Sequence, residues 1–390
     1  MCYEEIKIGA LYPLTGDYAF VGNSIKKALD FYVYLVNNQN EICIPKDLNI
    51  PKLGRRNIRL IWSDTRGDSE VALAEAKRLI EREGVTSIIG SYQSTVTSSV
   101  SLLTEVLKVP YVSPDADAGV LARRGLKYFF KVGTDDITYT NALFGMMQAN
   151  GILNYSLGSL AENSVLGQGD VQSLINVSNK YGYDISILEL YSSEIRDIKE
   201  RLIQMQCYNP GIIFTGQLSK DAITTIKALK ELNYYPKAMF DQTSDYASNE
   251  VLEATGADAN YIVSAVPWAV GVTKKIPLAK VVNEMFKDLY SENLNSVNSE
   301  SFTGIYVLID AITRACSNTP EAIRKALVTT CIPKERLIMP WNGVCFNENG
   351  KNIFASSIVV QILNESLKIV WPGYFKEANL VFPAPQWNSR

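Results

Sequence analysis

Short β-rich apolar runs alternate along the chain with stretches in which apolar residues return every three or four positions. Ile6–Leu11, Ile58–Ser63, Thr86–Gly90 and Val109–Ser113 read as strands. Helices are predicted over Ser24–Asn37, Ser69–Glu83 and Ser94–Lys108, with a short one near Val120–Arg124. In Ser69–Glu83 the residues Ala72, Leu73, Ala76, Leu79 and Ile80 share one face, the mark of an amphipathic helix. The alternation then restarts. Strands are predicted at Ser156–Leu160, Ile185–Leu190, Gly211–Thr215, Ala238–Asp241 and Tyr261–Ala265. Helices are predicted at Asp170–Tyr181, Ile198–Gln206, Lys220–Leu232 and Glu250–Thr255. Leu278–Tyr290, Thr303–Cys316 and Pro320–Val328 read as further helices. From Trp341 the texture is β-rich, with runs at Gly343–Phe346, Ile353–Gln361 and Leu367–Trp371. A repeated β-α-β order predicts parallel sheets with helices on both faces. The fold class is therefore α/β: two halves of similar build, followed by an antiparallel tail.

Composition narrows the function. At roughly 150 residues per domain, 390 residues suggest two or three domains. The 38 Lys and Arg against 41 Asp and Glu leave a formal charge of −3, which argues against nucleic acid as the main partner. The chain contains no His, so a His-centred triad, a His metal ligand and an imidazole proton shuttle are all excluded. The six Cys form no CxxC pair. Cys316, Cys331 and Cys345 lie close enough in sequence for one disulfide, and buried free thiols are the alternative. No metal or other cofactor is expected. No run reaches the roughly 18–20 apolar residues of a membrane span. Ile6–Leu11 is already a strand, so the sequence reads as a mature domain, cytosolic or with its leader removed. Cys2 fits the retained cysteine of a processed lipoprotein, and fits a chance residue equally well.

Open parallel sheets bind ligands beyond the carboxyl ends of their strands. The loop Ser91–Thr95 is one such place. Ser94 or Thr95 is the expected N-cap, with free N–H groups and the positive helix end offering a seat for a carboxylate. An ordinary cap is the alternative. After Val109–Ser113, Asp115 and Asp117 on alternate positions could receive an ammonium group, or serve as turn residues. Asp241–Asp245 is a third polar stretch at a strand end. Gly167 and Gly169 lack the third glycine and downstream acid of a dinucleotide site. An enzyme would have to use Asp115 and Asp117 for acid–base work, which needs a positioned partner that no His can supply. Binding, not catalysis, is the expectation.

These residues also carry a resemblance. Ile8–Gly16, Asp64, Val85–Gly90, Val112–Pro114, Phe130–Val132, Ala247–Gly256, Val370–Pro372 and Phe382–Pro385 occur in the order and spacing of one family. The sequence resembles the periplasmic solute-binding proteins of branched-chain amino acid ABC transporters, the leucine/isoleucine/valine-binding type, over almost its whole length. The resemblance implies two α/β lobes joined by three crossovers, with hinge closure on a ligand held between them. Lobe 1 would take residues 1–132 plus 267–335, and lobe 2 residues 133–266 plus 336–390. The family serine for the ligand carboxylate falls on Ser94, flanked by Tyr92 and Gln93. The carbonyl for the ammonium falls on Asp115, beside Ala116, and the usual ammonium-binding Thr falls on Asp117. The acid from the second lobe falls near Asp241 or Gln242. The side-chain wall falls on Val21 with Phe20 adjacent, Leu166, Leu218 and Phe302, so most of the family's aromatic wall is replaced by aliphatic residues. The implied function is an extracytoplasmic receptor, periplasmic or lipid-anchored, that passes an amino acid or related zwitterion to a membrane ABC permease. A sensor or receptor domain of the same fold, for amides or aromatic acids, is the alternative.

Overall fold

A computed structural model describes residues 4–39, 50, 51, 53, 56–192 and 197–387. Cys2 and Cys43 lie outside the described residues. In chain order the elements are β1 (Glu4–Tyr12), α1 (Ala19–Asn37), β2 (Arg56–Asp64), α2 (Ser69–Glu81), β3 (Ser87–Gly90), α3 (Ser94–Leu107), β4 (Tyr111–Ser113) and β5 (Phe129–Lys131). There follow α4 (Asp136–Ala149), β6 (Leu157–Glu162), α5 (Val165–Tyr181), β7 (Ile185–Tyr191), α6 (Ile198–Tyr208), β8 (Ile212–Gly216), α7 (Ser219–Glu231), β9 (Ala238–Asp241), α8 (Asn249–Thr255) and β10 (Val263–Val266). The last are α9 (Pro277–Tyr290), α10 (Ser296–Ala315), α11 (Pro320–Val328), β11 (Cys331–Pro333), β12 (Gly343–Cys345), β13 (Ile358–Leu363) and β14 (Ser366–Trp371).

The chain divides into two compact units. Unit 1 holds residues 1–116, 120–134 and 272–355, and unit 2 holds 117–119, 135–271 and 356–390. The sequence reading put 336–355 with the second lobe. The structure puts it in unit 1, because β12 pairs with β11 and the Asn352 side-chain amide donates to the Val132 carbonyl at 3.1 Å.

The sheet of unit 1 runs β2-β1-β3-β4-β5, all parallel. Every residue of β3 and β4 is buried, as expected of inner strands covered on both faces. Asp68 caps α2 by accepting from the N–H groups of Glu70 and Val71, and Ala72, Ala76 and Leu79 form its buried stripe. Against the other long helices, α1 and α10 meet through rings: Phe302 packs on Tyr32 with centroids 5.0 Å apart and on Phe31 at 5.9 Å. The fifth strand, β5, is a full sheet member.

The sheet of unit 2 runs β14-β13-β10-β9-β8-β6-β7. Strands β7, β6, β8, β9 and β10 are parallel, and β13 and β14 extend the sheet antiparallel beside β10. Alternate side chains feed two cores. Ile212, Phe214 and Phe240 join Leu143, Phe144 and Met147 on one face, while Ile213 and Met239 join Leu202, Ile226 and Leu229 on the other. Helix α4, absent from the sequence reading, lies in the first of these cores.

Candidate functional site

Because the strands of unit 1 are parallel, the loops after β1, β3 and β4 leave from one edge. The order 2-1-3-4-5 places the switch point between β1 and β3, where such sheets hold ligands. The backbone is tight there: Leu11 pairs with Gly90, whose φ of +152° and a Leu11 carbonyl 2.3 Å from any Cβ require glycine. The chain then turns through Ser91 into α3. The Ser91 N–H donates to the Tyr111 hydroxyl at 2.6 Å, and the Thr97 hydroxyl donates to the Ser91 carbonyl at 2.9 Å, fixing the loop from below. Tyr92 is buried against Tyr18, with ring centroids 6.1 Å apart.

The N-cap of α3 is Gln93, not Ser94 or Thr95. Gln93 is extended (φ −77°, ψ 130°) and its side chain makes no capping bond; its amide donates to the Gly67 carbonyl at 3.3 Å. Ser94 is therefore the first helical residue, and it is buried. The helix starts one residue early because the backbone of Gln93 already accepts the Thr97 N–H. This leaves a helix N-terminus without a side-chain cap at the switch point.

On the loop after β4, Asp115 is buried and its carboxylate is fully engaged. The Tyr12 hydroxyl donates to it at 2.8 Å and the Ser301 hydroxyl at 2.6 Å. Burial pushes its pKa up to about 7, against those two bonds and the nearby Lys131 ammonium. Ala116 offers its carbonyl to that buried ammonium. On α10, Glu300 accepts the N–H and the hydroxyl of Thr134, each at 2.9 Å. Burial raises Glu300 to about 8, with Lys131 opposing and Asp115 adding to the shift. Lys131, Glu300, Tyr12 and Ser301 were not singled out from sequence. The available signal was a lysine ending the apolar run Phe129–Lys131, and Glu300 in a run of Ser and Asn. Phe20 is exposed and Val21 half-buried at the start of α1, after β1. Phe302 faces the rings of Phe31 and Tyr32, which is core packing.

Unit 2 repeats the logic. Its parallel part, β7-β6-β8-β9-β10, has its switch point between β6 and β8. Leu166 stands in the first turn of α5 after β6, where Ser164 caps the helix by accepting the Gly167 N–H. Leu218 is the residue before α7, after β8. Asp117 belongs to this unit and is half-buried; its carbonyl accepts the Asp136 N–H at 2.9 Å. Asp241 is fully buried and holds its own turn: it accepts from the Thr243 N–H at 2.9 Å, the Thr243 hydroxyl at 2.7 Å and the Tyr246 N–H at 3.2 Å. Burial pushes it up to about 6 in spite of those bonds. Gln242, also buried, donates to the Thr140 hydroxyl at 2.6 Å. Nearby, Asp170 is held well above the usual carboxylate range by burial and by the charges of Asp136, Asp241 and Asp245. Among the described residues no group of His, Cys, Asp and Glu could hold a metal, and no helix is long and apolar enough to cross a membrane.

Each unit is thus a doubly wound sheet with polar loops at its switch point. The chain belongs to the periplasmic binding protein family, which it matches over residues 5–354. It is similar to a Leu/Ile/Val-binding protein homolog of Brucella abortus, with 23% identity over 94% of this chain and 92% of that protein. Among solved structures it is similar to a leucine binding protein of Thermotoga maritima (TM-score 0.78, 20% identity, 93% of this chain and 97% of that one). It is also similar to an ABC-transporter solute binding protein of Rhodopseudomonas palustris in complex with 3,4-dihydroxy benzoic acid (TM-score 0.78, 15% identity, 99% of each chain). The family and these neighbours are binding proteins and not enzymes, in line with the sequence expectation.

Proposed function

We propose that the chain is the extracytoplasmic receptor of an ABC importer and binds an amino acid or related small carboxylate. The observation that carries this reading is the start of α3: a helix N-terminus without a side-chain cap, opening on Ser94 at the switch point of the unit 1 sheet. Such an end carries about half a positive charge and suits a carboxylate. In this reading Ser94 and the first turn of α3 hold the carboxylate. The Asp115 carbonyl holds the ammonium, since the Asp115 carboxylate is already engaged by Tyr12 and Ser301. Val21 contributes an aliphatic side to the site. A membrane permease takes the solute from the loaded receptor.

A second reading, an aromatic acid as ligand, is favoured by the Rhodopseudomonas neighbour. Such a ligand has no ammonium for the Asp115 carbonyl to accept from. Thermal shift and calorimetry with L-leucine, L-isoleucine and 3,4-dihydroxybenzoate separate the two. A true ligand at 100 times its Kd stabilises the protein by about 2.7 kcal/mol. Ser94→Ala is expected to weaken binding about tenfold or more, by loss of a bond to a charged group worth about 1.5–3 kcal/mol, in a variant whose native far-UV circular dichroism shows that it folds. Wild-type affinity in Ser94→Ala removes the site assignment. No shift with any of the three compounds removes the ligand class.

A further inference from the structure

Cys331 and Cys345 stand directly opposite each other in the antiparallel ladder of β11 and β12. Thirteen residues separate them in sequence, so only the register brings them together. Opposed residues in such a ladder have Cα atoms about 4.5 or 5.5 Å apart, according to the pair type. Both spacings lie within the roughly 4.4–6.8 Å that a disulfide spans. Opposed side chains leave the ladder on the same face, so the two thiols face each other across β11 and β12. Both are free thiols in this structure. Cys316 is placed differently: it ends α10, and its exposed thiol donates to the Thr313 carbonyl at 3.5 Å.

We infer that Cys331 and Cys345 form a disulfide site that closes the β11–β12 ribbon in an oxidising environment. Cys331 is exposed and Cys345 half-buried. Cys331 is the more accessible of the two thiols, so it reacts first. Its thiolate attacks one sulfur of a small external disulfide, expels one thiolate and leaves a mixed disulfide. The Cys345 thiolate then attacks the Cys331 sulfur and expels the second thiolate. Two protein thiols are oxidised, the external disulfide is reduced to two thiols, and the two protein protons pass to the leaving thiolates.

The ribbon has only three residue pairs, and a ribbon that short is marginal by itself. It is tied to β5: the Cys345 N–H donates to the Asn352 side chain at 3.0 Å, the Asn352 amide donates to the Val132 carbonyl at 3.1 Å, and Phe346 packs on Phe130 at 5.3 Å. The closed ribbon therefore steadies the segment that carries Lys131 and Thr134. None of this depends on which solute the protein binds.

The test treats the full chain with oxidised glutathione, alkylates the remaining thiols, and maps digested peptides by mass spectrometry. The expected product is a Cys331–Cys345 linked pair, lighter by two hydrogens, with Cys207 and Cys316 alkylated. Its melting point should lie a few degrees above that of the reduced protein. Cys331→Ser, a change at an exposed position, should abolish both the link and the shift. Alkylated Cys331 and Cys345, glutathione adducts without a link, or a link through Cys316 each overturn the assignment.

Discussion

Glu300 and Asp115 are buried acids that both feel the charge of one buried lysine, Lys131, and their protonation sets a pH dependence for unit 1. Tyr12, Tyr111, Ser301 and Lys131 face Asp115, and Thr134, Lys131 and Asp115 face Glu300. Both acids hold a proton more tightly folded than unfolded. Their contribution to stability is therefore greatest below the ordinary Asp value of 3.8 and falls as pH rises, toward about 7 for Asp115 and about 8 for Glu300. Asp64 runs the other way. Burial would raise it, but bonds from the Thr15 hydroxyl and from the N–H groups of Arg66, Leu14 and Thr15 outweigh that and hold it low, so its contribution is lost as pH falls. Glu300→Gln keeps the acceptor oxygen for Thr134 and removes the ionisation. The variant should gain about 1 kcal/mol or more on wild type between about pH 5 and about pH 8, measured by urea denaturation at each pH. Parallel stability curves for the two proteins would show that Glu300 does not titrate in this range. No sequence pattern revealed this pair, because a glutamate within Ser296–Ser301 reads as a solvated helix start until α10 is packed.

At the scale of elements, amphipathic stripes were legible and evenly apolar helices were not. The stripe of Ala72, Ala76 and Leu79 places α2 within two residues of its observed end. Helix α4 shows no stripe: Ala142, Leu143, Phe144, Met146 and Met147 are all buried, so its apolar residues surround it. Its interior glycine, Gly145, lowers helix propensity by about 1 kcal/mol relative to alanine, and its place against the Trp371 ring explains the choice of residue. The start of α10 was missed for the opposite reason. Ser296–Ser301 is polar, and only the reciprocal bonds of Asn295 and Asn298 mark it as a capped helix. For α4 the readable signal was Asp135, whose carboxylate accepts the Thr138 N–H at 3.1 Å. Asp135→Ala should lower stability by about 1–2 kcal/mol, and Asp135→Asn by less, as read from urea midpoints with an unchanged slope. Equal loss in both variants would mean that the charge, and not the cap, matters there.

At the scale of the molecule, the alternation of strands and helices was enough to read two doubly wound halves, since parallel sheets require it. The register that sets Leu166 and Leu218 at one switch point was not readable, because strand order is decided by packing across the sheet. The family match ends at residue 354, yet β13 and β14 lie beyond it and complete the sheet of unit 2. Val263 pairs with Gln361 and Val266 with Ile358, so β10 is an inner strand only while β13 is present. Ile358, Val359, Val360, Ile362, Ile369 and Val370 are all buried. At roughly 2 kcal/mol for each buried side chain, their loss removes about 10 kcal/mol, which is comparable to the whole net stability of a domain. It also bares an apolar strand edge that invites pairing with other chains. A chain ending after Ala355 should therefore lose the cooperative unfolding of unit 2 and aggregate, while hydrogen exchange in β1, β3 and β4 stays slow, because the unit 1 sheet needs nothing beyond residue 355. Retention of slow exchange in β6, β8 and β9 by that truncated chain would show that the two tail strands decorate the sheet and do not hold it.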